Sequence, residues 1–138
     1  MKDTLEEGLT FEFEYRVLED KMVPNLYPES KEFQEMPEVL ATGYLVGLIE
    51  WACIQAINPH IDWPKEQTLG IHVDLSHDAP TPPRQEVKIK GKLEKIKDRK
   101  LTFSIVAKDE EETISKGTHK RYIINKEKFN KKAESKTH

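Results

Sequence analysis

The sequence predicts an α+β domain in which one curved antiparallel β-sheet wraps a single long central α-helix. Three features predict it: a clean two-residue alternation near the start, one apolar run of helical length, and four strand-like segments after it, joined by short polar connections. Leu9, Phe11, Phe13, Tyr15 and Val17 share one parity and Thr10, Glu12, Glu14 and Arg16 the other, the pattern of a half-buried strand. Residues 20–37 are interrupted by Pro24, Pro28 and Pro37. They read as a loop with one helical turn near Lys31–Gln34, a plausible lid or pocket wall. Residues 38–57, EVLATGYLVGLIEWACIQAI, are apolar on almost every face and form the central helix, which Asn58-Pro59 ends. Such a helix must be covered on all sides, which calls for a sheet plus a subunit contact. Gly43 and Gly47 give it one small-residue face.

After Pro64 the period returns to two. In Leu69–His77, alternation places Leu69, Ile71, Val73, Leu75 and His77 toward the helix and His72, Asp74 and Ser76 away from it. Pro80, Pro82 and Pro83 stiffen the next loop. Glu86–Ile96, Leu101–Lys108 and Thr113–Ile124 then follow as antiparallel strands, because their connections are too short for crossovers.

Composition narrows the function. The 138 residues fit one domain, 1–138, with about 1–7 and 131–138 read as flexible tails. Hydrophobic residues are 36% and charged residues 34%, so the core is modest and burial against a partner is favoured. No apolar run approaches the ~18 residues of a membrane span, and Met1-Lys2-Asp3 opens into acidic sequence, so a soluble, cytoplasmic protein with no membrane association is expected. One cysteine, Cys53, excludes a disulfide framework or a cysteine-rich zinc site within one chain. The net charge of −3 hides an asymmetry: residues 116–138 sum to +6 and the rest to −9. A globally acidic chain is a poor nucleic-acid binder, whereas a local basic patch suits a small phosphate-bearing ligand. Lys120 and Arg121, inside a strand, suit that role better than the tail from Lys128 onward.

Between Val39 and Ile61, Glu50 is the sole Asp, Glu, Lys or Arg. In apolar surroundings it is either a desolvated, reactive carboxylate or one satisfied by backbone or a partner-chain cation. His77, on the helix-facing parity, is either a satisfied core histidine or a proton shuttle. His60, His119 and His138 show no ligand spacing, so no metal site is expected. Thr42, before Gly43, is either an N-cap or a group beside helix-start amides able to receive an oxyanion. Within one straight helix Thr42 and Glu50 lie about 12 Å apart along the axis and about 80° apart in rotation. Either Thr42 sits in the bend before the helix, or a second chain completes the pair.

The segments Leu26-Tyr27-Pro28-Glu29-Ser30, Phe33 and Pro37 through Cys53, with Leu69-Gly70, His77, Thr81-Pro82-Pro83, Gly117-Thr118-His119, Arg121 and Glu127-Lys128-Phe129-Asn130, carry a family likeness. In these the chain resembles the fluoroacetyl-CoA thioesterase group of the hot-dog thioesterase superfamily over residues 8–132. Met36 stands where that group has an aromatic lid residue, Ser76 replaces a Thr, and Lys120 replaces an acidic residue. The resemblance implies a hot-dog fold, a homodimer and hydrolysis of a small acyl-CoA thioester without a cofactor. It places the catalytic residues at Thr42, Glu50 and His77. Phe33 and Met36 would line the lid, the N–H groups near Gly43 or Gly70 would meet the oxyanion, and Arg121 would meet the CoA phosphates. A non-catalytic acyl-CoA-binding or sensing module, or a ligand-free structural dimer, are the alternative readings.

Overall fold

The alternation at the start becomes strand β1 (Thr10–Arg16), whose Phe13 faces inward and is 9% exposed, while Thr10, Glu12, Glu14 and Arg16 face water. In the computed structural model, which describes residues 1–137, two short helices follow, α1 (Val23–Leu26) and α2 (Lys31–Gln34). The second begins at Ser30, whose Oγ accepts the Phe33 N–H at 3.1 Å. Helix α3 spans Thr42–Ile57, and strands β2 (Glu66–Leu75), β3 (Glu86–Lys97), β4 (Lys100–Lys108) and β5 (Thr113–Asn125) lead to a terminal helix α4 (Lys126–Glu134). Residues 38–41, included in the expected helix, stay outside it, as a bend at Glu38–Val39 and an isolated bridge from Leu40 to Met22. Ala41 sits in the β region at the helix N-cap, and its N–H donates to the Lys21 carbonyl at 3.0 Å.

The five strands form one antiparallel sheet in the order β1-β3-β4-β5-β2. Its inner face packs on Leu45, Leu48, Ile49, Ala52, Cys53 and Ile57 of α3. Burying each Leu or Ile side chain contributes roughly 1.5–3 kcal/mol, so this contact orders the rest. One stripe of α3 stays uncovered in the single chain. Gly43 and Gly47 are exposed, Trp51 is 48% exposed, and Ile54 is half-buried.

Three expectations are corrected. A bulge between Gly70 and His72 shifts the register of β2 against β5, so alternation does not run unbroken from Leu69 to His77. Leu69 lies opposite the exposed Tyr122, Gly70 lies opposite the buried Arg121, and beyond the bulge Val73 pairs with His119. The shared face therefore holds Gly70, Val73 and Leu75, not Leu69 and Ile71. Residues 1–7 are docked rather than loose: Leu5 is 7% exposed in the core cluster, and the Lys2 N–H donates to the His60 carbonyl at 2.8 Å. Much of the basic tail is helix α4, started by Asn125, whose Oδ1 accepts the Lys128 N–H at 3.0 Å, and laced by a Glu127–Lys131 ion pair. None of the helices among the described residues is long and apolar enough to cross a membrane.

Candidate active site

Two half-sites lie on the chain, one at the start of α3 and one at its middle. At the start, Thr42 is the first helical residue and Ala41 holds the N-cap place, so Thr42 does not cap the helix. Its Oγ1 is instead 2.7 Å from His77 Nδ1. The first-turn N–H groups of Thr42, Gly43 and Tyr44 have no carbonyl one turn back within the helix and remain donors. His77 follows the end of β2 on a segment that continues the pairing with β5: Ser76 N–H donates to the Lys116 carbonyl at 3.0 Å and Asp78 N–H to the Ile114 carbonyl at 2.7 Å. His77 Nε2 is buried without a hydrogen-bond partner. Burial holds the imidazole below its ordinary value of 6.5, against a weaker opposing pull from Asp78. A neutral ring beside a hydroxyl can take a proton and give it back. A cleft of about 290 Å³ opens on this pair, walled by Val23, Val39, Leu40 and Ala79.

Glu50 sits about two helical turns further on and is not a bare carboxylate in a dry core. Its side chain is 38% exposed, and Oε2 accepts a hydrogen bond from Arg121 Nη1 at 3.0 Å. The cation comes from its own chain. Arg121 is 1% exposed, and each of its three nitrogens is bonded: Nε donates to Thr68 Oγ1 at 2.9 Å, Nη2 to the Thr68 carbonyl at 2.7 Å, and Nη1 also faces His119 Nε2 at 3.0 Å. Because an arginine only donates, His119 Nε2 accepts, and Nδ1–H donates to the His72 carbonyl at 2.9 Å. Burial first, then the neighbouring guanidinium, hold His119 below 6.5, against the pull of the His72 carbonyl. Gly70 makes room for all of this. A Cβ there would lie 2.7 Å from Glu50 Oε2 and 3.2 Å from His119 Cε1. This half opens into a cleft of about 400 Å³ lined by Gly47, Glu50, Trp51, Trp63 and Arg121.

Of the expected residues, Thr42 and His77 meet, and Gly70, Arg121 and Glu50 meet, but no hydrogen bond links the two groups among the described residues. Phe33 packs against Tyr27 with ring centroids 5.4 Å apart, and Met36 is 50% exposed beside it. Gly43 brings the helix start onto Leu26, whose Cδ atoms would be 3.2 Å from an added Cβ. Arg121, expected to meet the CoA phosphates, lies 1% exposed behind Glu50, out of reach of a phosphate in water. In this structure its guanidinium holds the Glu50 carboxylate. His119 was missed as part of the site. Its parity with Arg121, two residues on in a strand, was the signal that both face the helix.

The fold defines a class. A hot-dog-like protein from Thermanaerovibrio acidaminovorans matches with a TM-score of 0.78 at 14% identity, over 96% of this chain and 93% of that one. A Thermus thermophilus protein described as a thioesterase superfamily member matches at 0.82 and 23%, over the same shares. Both show the hot-dog fold. The model of the fluoroacetyl-CoA-specific thioesterase family matches residues 19–127, and the chain belongs to that family. The fluoroacetyl-CoA thioesterase of Streptantibioticus cattleyicolor is 43% identical over 137 residues, 99% of this chain and 98% of that protein. A solved structure of a fluoroacetyl-CoA thioesterase has a TM-score of 0.95 at 42% identity, covering 99% of this chain and 100% of its own.

Two outcomes follow from this geometry. Gly70→Ala drives a methyl group into Glu50 Oε2, so hydrolysis falls by about 10-fold or more. The fold holds, because the end of the Glu50 side chain can swing outward. Near-normal turnover in Gly70→Ala would show that the placement of Glu50 does not matter. The second outcome concerns acid. His77 and His119 both bind protons less readily in the fold than the ordinary value of 6.5 allows, so the unfolded chain takes up more protons. Stability is therefore level above that value and declines as pH falls through and below it. Urea unfolding between pH 7.5 and 5 reads the decline, and a flat or rising curve contradicts it.

Proposed function

We propose that this protein hydrolyses a small acyl-CoA thioester at a site completed by two copies of the chain, with Glu50 of one copy beside Thr42 and His77 of the partner subunit. The observation that carries the reading is the division itself. The hydroxyl of a hydroxyl–imidazole pair and a guanidinium-held carboxylate sit on one helix, with no bond between the two groups and about two helical turns between them, too far apart to act on one carbonyl. Strand β2 is a sheet edge with free backbone groups, and Ile71 and Val73 on it are 51% and 47% exposed. Trp63 and Trp51 are each 48% exposed, and Trp51 lies on the uncovered stripe of α3. Pairing two such edges about a two-fold axis covers all of these at once.

In this arrangement the thioester oxygen points at the first-turn N–H groups of α3, which stabilise the developing oxyanion. Either Glu50 attacks the acyl carbon, the C–S bond breaks and water then hydrolyses the acyl–Glu50 anhydride, or Glu50 takes a proton from a water that attacks the acyl carbon directly and the C–S bond breaks. The Thr42–His77 pair gives a proton to the departing CoA sulfur and regains one from the water consumed. The products are the free acid and CoA. Met36, a flexible side chain, forms the lid edge together with Phe33 and suits small acyl groups of differing shape. Lys120, half-buried on the outer face of β5, is left as the cation for the CoA phosphates. A relative was solved in complex with fluoroacetate and CoA, which supports CoA thioesters as the substrate class. Such substrates, and the single buried thiol of Cys53, fit a cytoplasmic location.

Thiol release from a panel of acyl-CoAs, fluoroacetyl-CoA and acetyl-CoA included, tests the reading. Tight binding with no turnover would instead support an acyl-CoA sensor. In Glu50→Gln the amide oxygen still accepts from Arg121, so stability changes by about 1 kcal/mol while turnover falls by ~100-fold or more. One turnover in heavy-oxygen water that labels Glu50 supports a covalent anhydride, and no label supports direct water attack. Equilibrium sedimentation at micromolar concentration is expected to give twice 16.1 kDa, and a folded species of 16.1 kDa would overturn the shared site.

A further inference from the structure

We propose that Thr81 and Asp109 are positioning residues that set the Thr42–His77 pair from outside the site; the proposal rests on the thioesterase reading. Thr81 is 0% exposed and lines neither half-site, yet its hydroxyl and its carbonyl are both committed. Its hydroxyl donates to Asp109 Oδ2 at 2.9 Å, and its carbonyl accepts the Leu40 N–H at 2.8 Å. Leu40 is two residues before Thr42, and Thr81 is four residues after His77. Among the described residues, Leu40–Thr81 is the one backbone hydrogen bond between segment 37–42 and segment 76–83. Beside the 2.7 Å hydroxyl–imidazole contact, the two segments are joined directly by this one backbone tie, whose far end is Thr81.

Asp109 anchors that end. Its other oxygen, Oδ1, accepts the N–H groups of Glu111 at 2.8 Å and Glu112 at 2.9 Å, which locks the turn between β4 and β5. One carboxylate thus fastens the Thr81 end of the loop to the β4–β5 turn, beyond the backbone bonds at Ser76 and Asp78 that hold His77 itself to β5. Pro80, Pro82 and Pro83 flank Thr81 and limit how this end can compensate if the tie is lost. A valine in place of Thr81 has nearly the same shape but donates nothing, so Asp109 Oδ2 loses its partner and the Thr81 carbonyl that receives Leu40 loses its side-chain anchor, letting Thr42 shift against His77.

The prediction is a split between kcat and KM. Thr81→Val should lower kcat by about 10-fold or more with KM little changed, because small displacements of paired groups cost heavily in rate. Thr81→Ser should restore it. Side-chain ¹⁵N spectra of the histidines supply a readout independent of turnover. His77 should shift in Thr81→Val and return in Thr81→Ser, while His119 stays unchanged. If Thr81→Val does not fold, Asp109→Ala carries the same comparison from the turn side. Normal kcat with an unmoved His77 signal would overturn the proposal, as would a serine variant no better than valine. Wild-type protein that releases no thiol would instead sink the thioesterase reading, and the His77 signal would still judge the tie.

Discussion

The site depends on a guanidinium taken out of water. Arg121 reaches from β5 under α3, and its burial is tolerable only because Thr68, His119 and Glu50 accept its donors. Each acceptor places a demand on the chain around it. Thr68 must face inward, His119 must stay neutral to accept, and β2 must carry a residue with no side chain where Glu50 arrives. The bulge after Gly70 reconciles these demands, because it lets Thr68 and Gly70 face inward on one parity and Val73 and Leu75 on the other.

The two ends of the site are supported differently. Glu50 is held by ionic and hydrogen bonds inside the sheet–helix sandwich, where the surroundings are rigid. Thr42 opens α3 at the end of a segment whose Leu40 bonds to Thr81, and His77 lies on the segment after β2 that Ser76 and Asp78 tie to β5 by backbone hydrogen bonds. Loops are the natural place for groups that must admit a substrate, and the cost is that their spacing depends on few contacts. Tyr27 and Met36, which flank the short helices α1 and α2, are largely exposed on this side.

The exposed stripe of α3 and the edge strand β2 lie next to the carboxylate and border the cleft over Glu50. In the proposed two-copy site, covering these surfaces would also complete the site, which suits a chain with only 36% hydrophobic residues.

Much of this was legible in the residues themselves. Period-two and all-apolar patterns located the strands and the long helix, and the turn at Lys31–Gln34 matched in full, because local periodicity and proline placement act over a few residues. Glu50 stood out as the one charge in an apolar helix, and Thr42 and His77 came into view through local position and family likeness. The register did not. A bulge adds one residue to a strand and reverses every parity beyond it, and no local pattern in Leu69–His77 announces it. Arg121 looked like a surface cation, since sequence alone cannot tell a solvated guanidinium from one whose acceptors sit 53 and 71 residues away. Helix geometry did separate Thr42 from Glu50, but it could not name the partner of either. Those contacts exist only once β2, β5 and α3 are packed, because hydrogen-bond partners in a core are chosen by distance in space rather than along the chain.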